Sequence, residues 1–389
     1  MILLAAPRLT YQLWRLLMDT GANGALDLRM LNRWTALWFG NEPLVVYNLL
    51  PATYPLLWPL TGWLSFTASR WLWLLFYIIS FFWLLDIIKS GAGLRETKET
   101  VFAGLFLIAI YPTSIIVGNG QLALFILPAV LSAILPGRER PGARRGAAIT
   151  VLLLFSAIKL PVSAPFFLVA LISERAYRPV TLAVLGYILL TLLAVHFRSE
   201  GLLTSIELWI RDSSRLAEIG GYGNVHKWLG AAGLSGFILP ASFALLAALA
   251  LWLYLNRKVD IWIALGVTAI VARLWTYHRL YDDLLIIIPV VALFRIFRSG
   301  GLSPRERAVA GALLFTSWLA LLSPGYFLHL EPPLGTIFRT GQVAVWLSLL
   351  SFLVYYSSAS TKIENVFHRR KSTEAHPDSA PVIDSTRGR

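Results

Sequence analysis

Apolar runs long enough to cross a lipid bilayer recur along this chain, and nothing else in it restricts the fold as tightly. Residues 71–88, 101–117, 120–136, 179–197, 236–256, 260–276, 281–297, 308–324 and 337–356 are each predominantly apolar. About 17–25 such residues form a helix that traverses the hydrocarbon layer, where every backbone N–H and C=O must find its partner inside the protein. Only 14% of residues are charged and 57% are hydrophobic, whereas a soluble domain carries about 25% charged residues. The expected fold is an all-α polytopic membrane protein, a bundle of about 10–12 transmembrane or membrane-embedded helices.

Composition closes off several chemistries. The chain has no cysteine, which removes disulfides, a thiolate nucleophile and any Cys-based metal site. Its 15 Trp and 14 Tyr suit the aromatic belts of membrane interfaces. A net charge of +13 would suggest nucleic acid in a soluble protein; asymmetry between the loops explains it better here, and no nucleic-acid partner is expected. Residues 1–20 carry Arg8, Arg15 and Asp19, lack the apolar centre of a cleavable signal peptide, and are too polar to span comfortably.

Two apolar stretches are interrupted. Residues 47–64 contain Pro51, Pro55 and Pro59, each of which removes a backbone donor, so a helix here is kinked or starts partway through. In 147–173, Lys159 and Pro161 leave two halves of about 18–21 Å of helix each, too short to cross alone. Lys/Arg bias chooses a helical hairpin over one broken span. Arg138, Arg140, Arg144, Arg145, Arg257, Lys258, Arg298, Arg305 and Arg307 should be cytoplasmic, and that holds only if 147–173 goes in and comes back, which also puts Arg175 and Arg178 inside. Residues 1–356 then form a membrane-embedded domain with 21–50 as its first external loop. The polar tail 357–389 is expected to be cytoplasmic and disordered. Residues 118–121, the Lys159 turn, 198–235, 276–282 and 325–336 face outside. Counting back along this map, Asp27 joins them only if 51–67 dips into the membrane without crossing.

The outside set holds the unusual polar residues. Gly21–Asn48 is the longest polar-leaning passage before the apolar runs, and its conspicuous acid is Asp27. Asp27 suits a catalytic base and equally an N-cap for the helical segment that follows. Asn119 and Gln121, in the Gly-Asn-Gly-Gln turn, either direct their amides into a cavity or merely belong to a tight connection. Lys159 at membrane depth is costly and suits a phosphate-binding ammonium; snorkelling to an interface is the plainer alternative. The loop 198–235 offers Arg211 and Arg215 as further phosphate ligands among ordinary solvated residues. Residues 273–283 crowd Arg273, Tyr277, His278, Arg279, Asp282 and Asp283 between two spans. No metal is expected there: adjacent aspartates point about 100° apart on a helix, and Arg and His compete for them.

In order and spacing these residues resemble glycosyltransferase family 87, polyprenyl-phosphate-mannose-dependent transferases of the GT-C membrane fold. The likeness covers about residues 25–350. It rests on Asp27-Leu28, Tyr54-Pro55, Pro59-Leu60, Gly120-Gln121, Lys159 before a proline, and Trp275, Tyr277 and His278. The family's Tyr-Pro-Pro is here Tyr-Pro-Leu, and the full transmembrane helix that usually precedes the aspartate has no clear counterpart in residues 1–20. The resemblance implies a GT-C-like bundle in the cytoplasmic membrane. It implies transfer of a hexose, usually mannose, from a polyprenyl-phosphate sugar to a lipid or glycan hydroxyl on the external face, with Asp27 as catalytic base and no cofactor. Lys159, His278, Arg279, Tyr277, Gln121, Asn119, Arg211 and Arg215 would then serve substrate binding. A transporter or lipid flippase, and a polymerase or ligase of lipid-linked oligosaccharides, are the competing readings.

Overall fold

The computed structural model describes residues 2–135, 142–219, 222–276 and 278–374. Among these the regular structure is helical throughout, as the apolar runs require. The chain opens with α1 (Ile2–Leu17), an amphipathic helix, and α2 (Leu26–Phe39). The three prolines that follow confine 51–62 to a short α3 (Thr53–Leu57) and a π turn, Trp58–Gly62. Next comes α4 (Phe66–Ala92), capped by Ser65, whose side chain accepts from the Ala68 N–H. Helices α5 (Thr97–Ala109) and α6 (Tyr111–Asn119) meet at a bend of 58°, where Pro112 starts the second helix without a donor to offer the first. The 101–117 run is therefore a broken span rather than the straight one its hydropathy suggests.

Helices α7 (Ala123–Ile134), α8 (Ala143–Ser156), α9 (Leu160–Ile172) and α10 (Tyr177–His196) continue the bundle. The 198–235 loop folds into α11 (Gly201–Ile219) and α12 (Val225–Ala231). The remaining elements are α13 (Ile238–Leu255), α14 (Ile261–Leu274), a 3-10 segment at Leu280–Ile286, α15 (Ile287–Arg298), α16 (Pro304–Leu322) and α17 (Leu334–Glu374). The last of these corrects the expectation for the tail: the helix runs on from 357 to Glu374, since extending a formed helix costs far less than nucleating one. Residues 375–389 lie outside the described residues.

Five stretches among the described residues are long and apolar enough to cross a membrane, or six with the bent α5–α6 pair. They form the outer layer, where Leu189 of α10 and Phe243 of α13 are 66% and 64% exposed, a lipid-facing surface that a soluble protein would not tolerate. Helices α7, α14 and α15 are almost wholly buried between them. At 12–14 residues these are about 18–21 Å long, shorter than the spans expected at 120–136, 260–276 and 281–297. They stop where the chain becomes polar, at Gln121, at Trp275 and at Asp283.

Cross-helix bonds sort the connections into two ends. At one end Arg295 bonds the Gly91 carbonyl (2.5 Å) and pairs with Asp260 (2.9 Å), and Arg298 pairs with Glu99 (3.6 Å). At the other, Trp73 donates to the Gly120 carbonyl (3.0 Å), Trp275 to that of Pro161 (2.8 Å) and Trp38 to that of Ala194 (2.9 Å). Residues 17–70 belong wholly to this second end. Arg70 at the start of α4 reaches back to the Leu17 carbonyl (3.1 Å), and the Asn32 amide bonds the Thr61 carbonyl (2.8 Å). Residues 51–67 thus dip in and return.

By length and composition Ala143–Ile172 counts as one 30-residue span, yet it does not run straight. Straight, its ends would lie roughly 45 Å apart. Instead the charges of Arg145 and Glu174 act on one another, and Thr150 donates to the Pro179 carbonyl at 3.4 Å. The chain doubles back at Lys159, which ends a 3-10 turn (Ala157–Lys159) and leaves helical geometry at φ −121°, ψ 72°. Pro161 follows in the first turn of α9, where a missing donor costs least. Helices α8 and α9 are the legs of a hairpin with Lys159 at its tip.

This two-ended arrangement is testable, since the chain lacks cysteine. Single cysteines in place of exposed Glu42 or Arg215 should react with an impermeant maleimide from one side of sealed vesicles. Cysteines replacing exposed Arg178 or Arg257 should react only from the other side.

Candidate functional site

A glycine sets the position of Asp27. Gly120 caps α6 at φ +76°, a left-handed conformation that L side chains avoid. A Cβ there would lie 2.4 Å from Cβ of Leu28, so its absence lets the start of α2 rest on the α6–α7 turn. Asp27 is the second residue of α2; Ala25 holds the N-cap position, so the carboxylate is not spent on capping. The Gln121 side chain is the polar group that acts on it most strongly. Asp27 is half-buried. Burial raises its pKa, opposed by Gln121 and by the charges of Arg279 and Lys159, while Asp282 adds to the rise.

Lys159 at the hairpin tip reaches Asp282, its Nζ 2.5 Å from Oδ1, and lies 4.6 Å from the centroid of the Tyr281 ring. The other oxygen of Asp282 meets Nδ1 of His278 at 3.0 Å. An ionised carboxylate only accepts, so Nδ1 carries a proton; Nε2 is buried with no hydrogen-bond partner among the described residues.

Asp283 turns away from its neighbour. Its Oδ1 meets Nε of Arg273 at 2.5 Å, and its Oδ2 accepts from Tyr111 and Tyr222. Tyr222 also bonds Gln342 at 2.7 Å. Four elements distant in sequence are thereby pinned together, and this aspartate is structural. Both acids are committed to cations and hydroxyls, and among the described residues no three His, Cys, Asp or Glu side chains gather as a metal site requires.

Leu26, the residue before Asp27, lines a cleft of about 580 Å³ together with Ile115 and the polar Arg15, Asn119, Arg279, Tyr281, His329 and Arg339; Asp27 itself is not in its wall. That volume suits a small-molecule site. Arg15 bonds the side-chain oxygens of Gln12 (3.3 Å) and Asn119 (2.9 Å) and the Asn23 carbonyl (2.9 Å); Arg339 bonds the Gly335 carbonyl (3.0 Å). All of these partners are neutral, so the contacts orient the guanidinium groups and leave their charge for an anion.

Of the residues expected to bind substrate, Asn119 and Arg279 line the cleft, Gln121 acts on Asp27, and Lys159 and His278 form the layer beneath. Lys159 is paired with Asp282 here and does not line the cleft. Arg211 and Arg215 do not join the site. Arg211 pairs with its neighbour Asp212 (2.9 Å), and both arginines point into solvent from α11, an amphipathic helix that has its own polar face to satisfy. Tyr277 lies outside the described residues. Arg15, His329 and Arg339 escaped sequence reasoning. Arg15 sits in a segment that reads as too polar to span, and the other two are ordinary loop and helix-start residues until the chain folds.

Comparison of the chain with protein-family models, with curated proteins and with solved structures found no match.

Removing Lys159 strands a buried carboxylate. Lys159→Ala should destabilise the protein by about 3–5 kcal/mol, read as a lowered midpoint of thermal unfolding in detergent. The double variant Lys159→Met, Asp282→Asn should recover most of that loss; a double variant no more stable than the single would refute the pairing.

Proposed function

We propose that this protein is a membrane glycosyltransferase of the GT-C type, similar to glycosyltransferase family 87. It moves a hexose, mannose by the family likeness, from a polyprenyl-phosphate carrier to a hydroxyl of a lipid or glycan. The observation that carries the reading is the half-buried carboxylate of Asp27, which feels the charge of Arg279 and adjoins Leu26 in the wall of a cleft that Arg15, Arg279 and Arg339 also line. A base and a set of cations are the two things that transfer from a sugar phosphate needs. The acceptor's O–H proton goes to Asp27 as its oxygen bonds the anomeric carbon. The bond from that carbon to the phosphate oxygen breaks, its electron pair stays on the phosphate, and the arginines stabilise the charge that builds there. The lipid stays in the bilayer, so the donor requires no nucleotide pocket.

The site end faces outward in this reading. The opposite end carries Arg95, Arg144, Arg145, Arg175, Arg178, Arg257, Lys258, Arg298, Arg305 and Arg307, and basic connectors stay on the cytoplasmic side. The protein then lies in the cytoplasmic membrane with its cleft outside. One observation favours a lipid flippase instead: the two broken elements, α5–α6 and α8–α9, both flank the site, as discontinuous helices do in transporters.

Transfer of radiolabelled mannose from polyprenyl-phosphate mannose, in membranes with and without the protein, tests the proposal. Asp27→Asn should lower the rate by about 10²–10⁴-fold with unfolding unchanged; wild-type turnover in that variant, or lipid scrambling without any sugar transfer, would sink it. The pH profile gives a second check. A base must be deprotonated to act, and the pKa of Asp27 is raised, so the rate should climb with pH through a limb above the ordinary carboxylate range. Asp27→Asn should erase that limb.

A further inference from the structure

Helix α1 carries two stripes side by side. Arg8, Gln12 and Arg15 recur at helical spacing and face inward. Arg8 holds the Ala109 and Leu322 carbonyls at 2.6 and 3.1 Å, and Gln12 lies against Gly118, where a Cβ would come within 1.7 Å of its Oε1. One step round the helix, Leu3, Pro7, Tyr11, Trp14 and Met18 form an unbroken apolar stripe at spacings of three and four. It is bare: Leu3, Tyr11, Trp14 and Met18 are 89%, 56%, 51% and 58% exposed. Tyr11 and Trp14 stack on each other with centroids 6.0 Å apart.

The stripe and the cleft share helix α1: no residue of the stripe lines the cleft, but Arg15, on the neighbouring row, does. Arg15, next to Trp14, is one of the cations of the cleft wall, and across from it stand His329 and Arg339 of the 325–339 segment, with Tyr326 and Ile337 of that segment exposed in turn. A cationic cleft on the same helix as an apolar, aromatic rail matches a ligand with an anionic head on a long apolar chain. We propose that the isoprenoid chain of the donor lies along the Leu3–Met18 stripe of α1, which draws its phosphate up to Arg15. This inference rests on the reading of the cleft as a site for a lipid-borne phosphate, and it assigns the chain-binding surface. Helix α1 is thereby a substrate-binding element and not only a filler of the bundle.

Photo-crosslinking of the purified full-length chain in nanodiscs tests it. One probe is a polyprenyl phosphate with a diazirine on an isoprene unit near the phosphate; the other is phosphatidic acid with the same group in an acyl chain. The prenyl probe should label residues 2–18 about tenfold more than the phosphatidic acid probe, and the double variant Tyr11→Ala, Trp14→Ala should lose about tenfold of that labelling, as expected for two lost apolar contacts. Equal labelling by both probes would show that the stripe meets only bulk lipid, and labels confined to α4, α10 or α13 would place the chain elsewhere; either result overturns the inference. Because the wild-type labelling stands alone, a poorly folding variant does not blunt the test. Labelling of α1 without sugar transfer would reject the transferase and keep the α1 site. Transfer without labelling of α1 would do the reverse.

Discussion

The Lys159–Asp282 contact is the interaction on which the arrangement of the site depends. An ammonium at the tip of a hairpin inside the bundle would be costly alone, and a carboxylate buried at 2% side-chain exposure would be costlier still. Together they fix the depth at which the α8–α9 hairpin stops and the direction in which the Leu280–Ile286 segment turns. His278 is held by the second oxygen of the same carboxylate, and Tyr281 lies over the lysine. The floor beneath the cleft is thus a single charge-balanced unit, above which Arg15, Arg279 and Arg339 line the cleft.

The short inner helices give that unit its place. Helices α7, α14 and α15 are shorter than α4, α10 and α13 and end at the site end in polar segments. A bilayer forbids unsatisfied backbone in its hydrocarbon layer unless protein covers it. Here the covering is done by residues 17–70 and by α11–α12, which lie across the site end. Asp27 arrives with that cover: it belongs to the lid of the bundle, whereas Lys159, His278 and Asp282 belong to its interior.

Membrane class and helical content were legible in the sequence, because apolar runs of bilayer length admit few alternatives. The hairpin was legible too, from the balance of arginines across the connections and the placement of Lys159 and Pro161. Asp27 stood out as an acid in a polar island, though its choice between cap and site was not readable until Ala25 was seen to occupy the cap. The bend at Ile110 was hidden because Pro112 sits at a helix start, where proline is as compatible with a span as with a break. Arg15, His329 and Arg339 were invisible for a different reason. Each is separated from Asp27 by the fold rather than by a helical repeat, and spacing rules see only neighbours on one helix face. The pairing of Asp283 with Tyr111, 172 residues away, belongs to the same class.

The hairpin also has a bearing on how the chain is made. Lys159 and Asp282 are 123 residues apart, and at about 5–20 residues per second the ribosome needs roughly 6–25 s to deliver the partner. A threaded span would have to keep the unpaired ammonium in hydrocarbon throughout that interval. A hairpin that enters and leaves from one side can wait at the headgroups and sink into the bundle when α14 and the Leu280–Ile286 segment are in place. The order of synthesis then makes closure of the site floor a late event of assembly, and a chain interrupted before residue 282 is left with an unpaired ammonium at the hairpin tip.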